Sequence, residues 1–98
     1  MVIVAGHITV DPGEREAFIA SFVRVVQKAR ATAGCLDFAA GADPIDPGRV
    51  NLYERWESEE ALEAFRRRAP RIKRAATILS ASVAEHDVAG LRPLFGRG

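Results

Sequence analysis

The stretch RVNLYERWESEEALEA, residues 49–64, decides the fold of this chain. Its first half alternates between two sets of side chains, and an alternation of period two predicts a β-strand over Arg49–Trp56. Ser58 then stands where a helix N-cap is expected, and Glu59 and Glu60 follow it, where the positive end of a helix dipole favours negative charge. The stretch therefore predicts a strand that runs directly into a capped helix.

The segment that precedes this stretch supplies two more strands and a helix. Alternating residues predict a strand over Val2–Val10. Residues 11–14 then place an aspartate as a cap and a proline at the first helical position, which predicts a helix running to about Thr32. Gly34 ends that helix, and Cys35–Ala42 is predicted as the second strand.

The segment that follows the stretch completes the predicted topology. Pro70 breaks or restarts the second helix, and we expect residues 71–79 to continue as helix. Ser82–Val88 is predicted as the fourth strand. The resulting order, β-α-β-β-α-β, is that of the ferredoxin-like split unit, an α+β fold with helices on one face of an antiparallel sheet. We expect residues 1–98 to form a single domain.

One face of such a sheet has no helix to cover it. In a chain of 98 residues, the economical cover is the same face of a second copy. We therefore predict a homodimer, a dimeric α+β barrel, whose two sheets enclose a space that a small ligand could occupy.

Composition excludes several functional classes. The net charge of +1 creates no global field, so neither nucleic acid nor a membrane is an expected partner. Cys35 is the single cysteine, which rules out an internal disulfide, and no spacing of His, Cys, Asp and Glu follows a metal-ligand pattern. The N-terminus shows neither a signal peptide nor a membrane span, so we expect a cytoplasmic protein.

Three stretches carry a resemblance to a known family: VAGHITVDPGE at residues 4–14, AGCLDF at 33–38 and NLYERWESEEAL at 51–62. Through them the chain resembles the antibiotic biosynthesis monooxygenase (ABM) domain family. The resemblance implies a small cytoplasmic homodimer that oxidises a quinol or polycyclic phenol with molecular oxygen, without metal or flavin in the domain. A few relatives bind and degrade haem instead.

The chain departs from the family at two places. Phe65 stands where many members have a histidine on the second helix, and Gly6 or His7 stands where haem-degrading relatives have an asparagine on the first strand. Haem degradation is therefore the least favoured function. The alternative to a monooxygenase is a non-catalytic, small-molecule-binding dimer, which the missing helix histidine favours.

Three polar side chains are the candidate catalytic residues. His7 lies on the mixed face of the first strand and could accept a phenolic proton near neutral pH. Asn51 could hold a substrate carbonyl or phenolate, and Tyr53 could donate a proton. For each of the three, the alternative is a structural hydrogen-bonding role.

Three rings are the candidate substrate-binding residues: Trp56, Phe65 and His86. Trp56 could pack flat against a planar substrate, and the alternative is a core or interface tryptophan. Because Trp56 lies on the opposite strand face from Asn51 and Tyr53, the three cannot line one cavity unless a bulge intervenes.

Two further charged features need an explanation. Glu54 lies on the covered face of its strand and needs a partner, for which we expect an arginine such as Arg92 or one from a second copy. A basic cluster follows on the second helix, formed by Arg66, Arg67, Arg68, Arg71, Lys73 and Arg74. Without interleaved aromatics to stack bases, it is interpreted as a solvated helix face.

Overall fold

The computed structural model describes residues 1–69 and 76–96. The strands are β1 (Val2–Val10), β2 (Cys35–Ala42), β3 (Arg49–Trp56) and β4 (Ile78–Asp87). A 3₁₀ turn over Pro12–Glu14 leads into α1 (Arg15–Ser21), which is followed by α2 (Val23–Arg30) and, after β3, by α3 (Glu59–Arg68).

The sheet confirms the predicted fold class. Its order is β2-β3-β1-β4, and each neighbouring pair is antiparallel. The helices lie on one face, as in the ferredoxin-like unit. The first three strands have the predicted bounds.

The fourth strand begins earlier than predicted. Ile78–Asp87 is one continuous strand, whereas the sequence suggested helix up to residue 79 and a strand from residue 82. The helical prediction is therefore wrong at residues 76–79, and its part over residues 70–75 lies outside the described residues. Pairing with β1 over nearly its whole length supplies the backbone hydrogen bonds that stabilise the strand here.

The first helix is divided where the sequence suggested one continuous element. Phe22 separates α1 from α2 and donates its backbone N–H to the carbonyl of Ile19 at 3.0 Å, a bond of the tighter 3₁₀ type. The ring of Phe22 contacts that of Phe18 edge to face, with 5.1 Å between centroids. The predicted apolar stripe is nevertheless retained, because Phe18, Val25 and Ala29 are all buried.

The core lies between the helices and the sheet. One cluster surrounds Trp56, which is completely buried and packs against Phe38 and Phe65 at centroid distances of 6.5 and 5.2 Å. A second cluster groups Ile8, Val10, Phe18, Val50 and Ala76. Together they attach the helices to β1 and β3.

Gly6 marks a close approach between two strands. Its φ of +154° lies in the region that favours glycine. A Cβ built there would overlap the carbonyl oxygen of Ser82 and stand 2.7 Å from the Cα of Val83, both in the β4 backbone. Position 6 therefore has no room for a side chain.

Arg15 fixes the loop between β2 and β3. Its guanidinium donates to the backbone carbonyls of Asp46 at 2.8 Å, Asp43 at 3.2 Å and Arg49 at 3.4 Å. The side chain of Asp43 accepts the backbone N–H groups of Ile45 and Asp46. The loop is thereby held against the start of α1.

Candidate functional site

Three of the candidate residues lie together on the helix-free face of the sheet. His7 of β1 stands directly opposite Asn51 of β3, and Tyr53 follows two residues further along the same face. Directly opposed residues have Cβ atoms about 4.5–5.5 Å apart, and diagonal neighbours are about 7–8 Å apart. All three side chains are half-buried. The register therefore brings an imidazole, an amide and a phenol within reach of one small molecule.

The amide of Asn51 is already occupied by two neighbours. Its Oδ1 accepts from Arg49 Nε at 2.7 Å, and its Nδ2 donates to Asp43 Oδ1 at 2.9 Å. The backbone N–H of Asp46 and the amide of Asn51 lower the pKa of Asp43 to about 2. These bonds give Asn51 a structural role at the end of the hairpin, which is the alternative that the sequence left open.

His7 and Tyr53 differ from Asn51 in this respect. Within residues 1–69 and 76–96, neither side chain makes a hydrogen bond to another residue. Each ring therefore keeps its polar atoms for a ligand or water on the helix-free face.

His86 lies on the same face but apart from this group. It pairs with Ile3 across β1–β4, whereas the β4 partner of His7 is Ser82. Ser82 and His86 are four positions apart along the strand, which corresponds to about 13 Å. His86 is exposed and does not join His7 around one small molecule.

Trp56 and Phe65 lie on the other side of the sheet, in the helix-side core. Trp56 has no exposed surface, and Phe65 is 6% exposed. The burial of Trp56 favours the core alternative over contact with a ligand. The sheet separates both rings from His7 and Tyr53, so the six candidate residues cannot all contact a single substrate.

Glu54 has a different partner from the expected Arg92. Its Oε1 accepts the indole N–H of Trp56 at 3.0 Å, two residues along the same strand face. Burial raises the pKa of Glu54, while the Trp56 hydrogen bond and the charge of Arg66 act in the opposite direction. Arg66 also approaches Glu85 of β4 at 4.0 Å. A neutral donor and a nearby arginine of α3 therefore accommodate this carboxylate.

A cleft opens on the helix side between the ends of α2 and α3. Its volume is about 420 Å³, within the range of small-molecule pockets. The described lining consists of Lys28, Ala31, Thr32, Ala33, Phe65 and Arg68. We call it the α2–α3 cleft. Phe65 was a candidate substrate-binding residue, but the cleft itself was not predicted, because it forms where the end of α2 and residues 31–33 meet α3.

Histidine, cysteine and carboxylate side chains are the usual protein ligands of a metal ion. Among the described residues, no three His, Cys, Asp or Glu side chains lie close enough to hold a metal ion. Both histidines lie on the helix-free face, and Phe65 of α3 is almost completely buried. None of the described helices has the length and apolar character to cross a bilayer.

Comparison with known proteins finds a matching family model, one curated relative and solved structures of the same fold. A sequence model of the antibiotic biosynthesis monooxygenase family matches residues 1–77. An uncharacterised protein of Synechocystis sp. is 29% identical over 62 residues, which are 63% of this chain and 42% of that protein. The chain thus spans less than half the length of that curated relative.

Solved structures show the same fold at low sequence identity. A Pseudomonas aeruginosa protein has a TM-score of 0.74 at 24% identity, over 91% of this chain and 94% of that one. A candidate antibiotic biosynthesis monooxygenase from Deinococcus radiodurans has a TM-score of 0.73 at 16% identity, over 98% of this chain and 100% of that one. The haem degrader MhuD of Mycobacterium tuberculosis was solved with two haems in its active site. It has a TM-score of 0.68 at 22% identity, over 95% of this chain and 100% of that one.

Proposed function

Because this chain belongs to the antibiotic biosynthesis monooxygenase family, we propose that it oxidises a small quinol or polycyclic phenol with molecular oxygen, without a cofactor. Family membership by itself supports the coarser role of a monooxygenase or small-molecule-binding protein. The observation that supports the finer proposal is that His7 and Tyr53 are diagonal neighbours on the helix-free face, where their polar atoms are available to a ligand.

The proposed reaction needs no external reductant. For a polycyclic phenol of the anthrone type, a ring methylene becomes a carbonyl, one oxygen atom of O₂ enters the product, and the other leaves as water with the two methylene hydrogens. For a quinol, a ring C–H becomes C–OH as the quinone forms, and the second oxygen atom again leaves as water. His7 accepts the phenolic proton, and the electron-rich ring then transfers one electron to oxygen. The radical pair combines at the ring carbon, and the resulting peroxide loses water. Tyr53 donates a proton to the departing oxygen.

A second copy of the chain would complete this site. We propose that the helix-free faces of two copies pack together in the cytoplasm and enclose the substrate. Enclosure excludes water from the reactive ring and holds it beside His7. The half-buried ring of Tyr53 would form part of the enclosed wall.

Oxygen uptake with a panel of anthrones and hydroquinones tests the proposal. We expect His7→Ala to lower turnover by about a hundredfold or more, the usual contribution of a general base. His86→Ala is the matched control, because it removes an imidazole from the same face at a distance from His7. Absence of enzyme-dependent oxygen uptake, or equal rates for the two variants, would refute the mechanism.

A non-catalytic, small-molecule-binding function is the second candidate. It is favoured by the two hydrogen bonds that occupy Asn51, which leave this residue in a structural role. This function predicts that an aromatic ligand raises the thermal midpoint of unfolding without being converted. Recovery of an oxygenated product after incubation in air would exclude it.

A further inference from the structure

We infer that the segment after β4 binds a second copy of the chain by adding a short strand to the free edge of that copy's β2. We call this segment, residues 88–96, the arm. The inference concerns assembly, so it goes beyond the proposed oxidation and does not depend on it.

The arm carries large apolar side chains that its own chain leaves exposed. Leu91 is 52% exposed, Leu94 is 90% exposed and Phe95 is 91% exposed. The start of the arm is held beside β1, because the backbone N–H of Val88 donates to the carbonyl of Met1 at 2.9 Å. Exposed apolar side chains grouped in this way are typical of an interaction surface.

Two adjoining clefts lie between the helices α1 and α2 and the strand β2. The first, which we call the apolar cleft, has a volume of about 250 Å³, and its apolar lining consists of Ile19, Phe22, Val23, Val26 and Ala40. The second, which we call the Glu16 cleft, has a volume of about 310 Å³ and is lined by Pro12, Arg15, Glu16, Ile19 and Ala42. The apolar wall is open to a partner, since Val23 is 50% exposed and Phe22 is half-buried.

The strand β2 lies at an edge of the sheet and offers backbone groups beside both clefts. In an antiparallel pair, every second residue directs its backbone N–H and C=O away from the neighbouring strand. Phe38 does so, because its N–H donates to Asp37 Oδ1 at 2.8 Å and its carbonyl accepts from Arg30 Nε at 2.9 Å. Ala40 and Ala42 share this orientation, and among the described residues no group beyond the sheet bonds to their backbone. An added strand can therefore pair with them.

Pro93 determines which residues of the arm pair with β2. Proline has no N–H, so residue 93 must point away from β2. Its neighbours Arg92 and Leu94 then direct their backbone groups towards β2, opposite Ala40 and Ala42. Because directly opposed residues share a face of the sheet, the side chains of Arg92 and Leu94 lie on the side of the two clefts.

Charge determines the direction of the added strand. Antiparallel pairing places Leu94 opposite Ala40, in the apolar cleft. It places Arg92 opposite Ala42, in the Glu16 cleft. Parallel pairing would exchange the two side chains, so that the arginine entered the apolar cleft and the leucine lay beside the carboxylate. The antiparallel register is therefore favoured.

Glu16 is available for an ion pair with the arm. Within the described part of the chain, neither Glu16 nor Arg92 makes a salt bridge. Arg15, the cation in the same cleft, already donates to three backbone carbonyls of the loop between β2 and β3. A partly exposed ion pair contributes modestly to affinity, so this one mainly sets the register.

The arm cannot reach this edge in its own chain. Asp87 lies level with Val2 of β1, whereas Ala42 lies level with Ile8, through the β3 residue that both pair with. The two ends are thus about 20 Å apart along the strands and about 14 Å apart across the sheet, or roughly 24 Å in all. Residues 88–91 span at most about 14 Å. The occupant of the edge is therefore the arm of another copy.

Packing of the helix-free faces brings each arm to the edge of the partner. The end of β4 and Ala42 lie at diagonally opposite corners of the sheet, and a twofold axis perpendicular to that diagonal brings these corners of two copies together. Stacked sheets are about 10 Å apart, a distance that residues 88–91 can cross. Since both arms are exchanged, the assembly closes as a dimer and does not continue as a filament.

Analytical ultracentrifugation over a dilution series tests the exchange through the dissociation constant of the dimer. We expect Leu94→Asp to raise this constant about tenfold or more, because a leucine side chain is no longer buried on association. Ile45→Asp is the matched control, because Ile45 is also 90% exposed but lies outside the arm and both clefts. It should leave the constant unchanged. Both variants should keep the circular dichroism of the unaltered chain, since both side chains are exposed.

An exchange of charges tests the register. Glu16→Arg and Arg92→Glu should each raise the dissociation constant about two- to fivefold, and a chain with both substitutions should recover most of the loss. A chain that is monomeric at every concentration, equal effects of Leu94→Asp and Ile45→Asp, or no recovery in the doubly substituted chain would each overturn the inference. An arm that binds a different protein would leave this chain monomeric and is covered by the first of these outcomes.

Discussion

Replacement of Gly6 by alanine tests how closely β1 and β4 are joined. The added Cβ would overlap the carbonyl oxygen of Ser82 and stand 2.7 Å from the Cα of Val83. Both are backbone atoms, so no side-chain rotation relieves the contact. Alanine would also have to adopt a φ of +154°, which L-residues rarely tolerate.

The expected cost follows from these two effects. Overpacking a close contact costs about 1–3 kcal/mol, and holding a non-glycine residue in a rare backbone region costs about 1–3 kcal/mol. We expect Gly6→Ala to lower the free energy of unfolding by about 3–5 kcal/mol, a large part of the roughly 5–15 kcal/mol typical of a domain. For a urea dependence near 2 kcal/mol per molar, the midpoint falls by roughly 1.5–2.5 M.

Urea denaturation monitored by the fluorescence of Trp56 measures this change. Gly41→Ala is the matched control, because Gly41 also lies in a strand but a Cβ there meets no atom within 4 Å. We expect the control to change stability by no more than about 0.5 kcal/mol. If Gly6→Ala cost less than about 1 kcal/mol, the close approach of the two strands would be refuted.

Three further predictions concern the titratable groups. Trp56→Phe removes the indole N–H that donates to Glu54 and leaves a half-buried carboxylate without that hydrogen bond. We expect the free energy of unfolding, measured by urea denaturation, to fall by about 1–3 kcal/mol. An unchanged urea midpoint would contradict this. Because the pKa of Glu54 is raised from 4.5, its contribution to stability is fully present below that pH and is lost as the pH rises through the folded-state pKa. Glu54→Gln should therefore make the free energy of unfolding fall less steeply as the pH rises above 4.5, and an unchanged slope would contradict this. The pKa of Asp43 is lowered from 3.8 to about 2, so its contribution is present above 3.8 and is lost as the pH falls through 2. Asn51→Ala should raise that pKa, which carbon NMR of the carboxyl group measures, and a constant value would exclude the Asn51 bond as a cause.

The parts of the fold that the sequence predicted are those that local patterns control. The bounds of β1, β2 and β3 could be inferred directly from the alternation of side chains along each segment. The beginning of β4 could not, because Ile78 and Leu79 follow a run of good helix formers and belong to a strand only through pairing with β1. The break at Phe22 likewise depends on packing of its ring against Phe18.

The candidate site was predicted less completely, for a similar reason. Alternation placed His7 on the mixed face of the first strand and put Asn51 and Tyr53 opposite Trp56 on the third, and the register shows that these two faces are the same side of the sheet. The Trp56–Glu54 hydrogen bond was missed, although spacing of two residues on one strand face was a usable signal. The hydrogen bonds of Asn51 to Arg49 and Asp43 could not be predicted, because they form only when the hairpin folds back, and residue spacing alone does not reveal this.

The alternation of β3 has a consequence for how this protein can change over generations. Even-numbered positions from Val50 to Trp56 hold the core, while Asn51 and Tyr53 face away from it. A substitution at Tyr53 would therefore alter the helix-free face while the core is preserved, whereas Asn51 also holds the hairpin through Arg49 and Asp43. A single-residue insertion or deletion would exchange the two sets of side chains and damage both at once. Selection should accordingly tolerate more variety at Tyr53 than at Val50 or Trp56, and should keep the length of β3 constant.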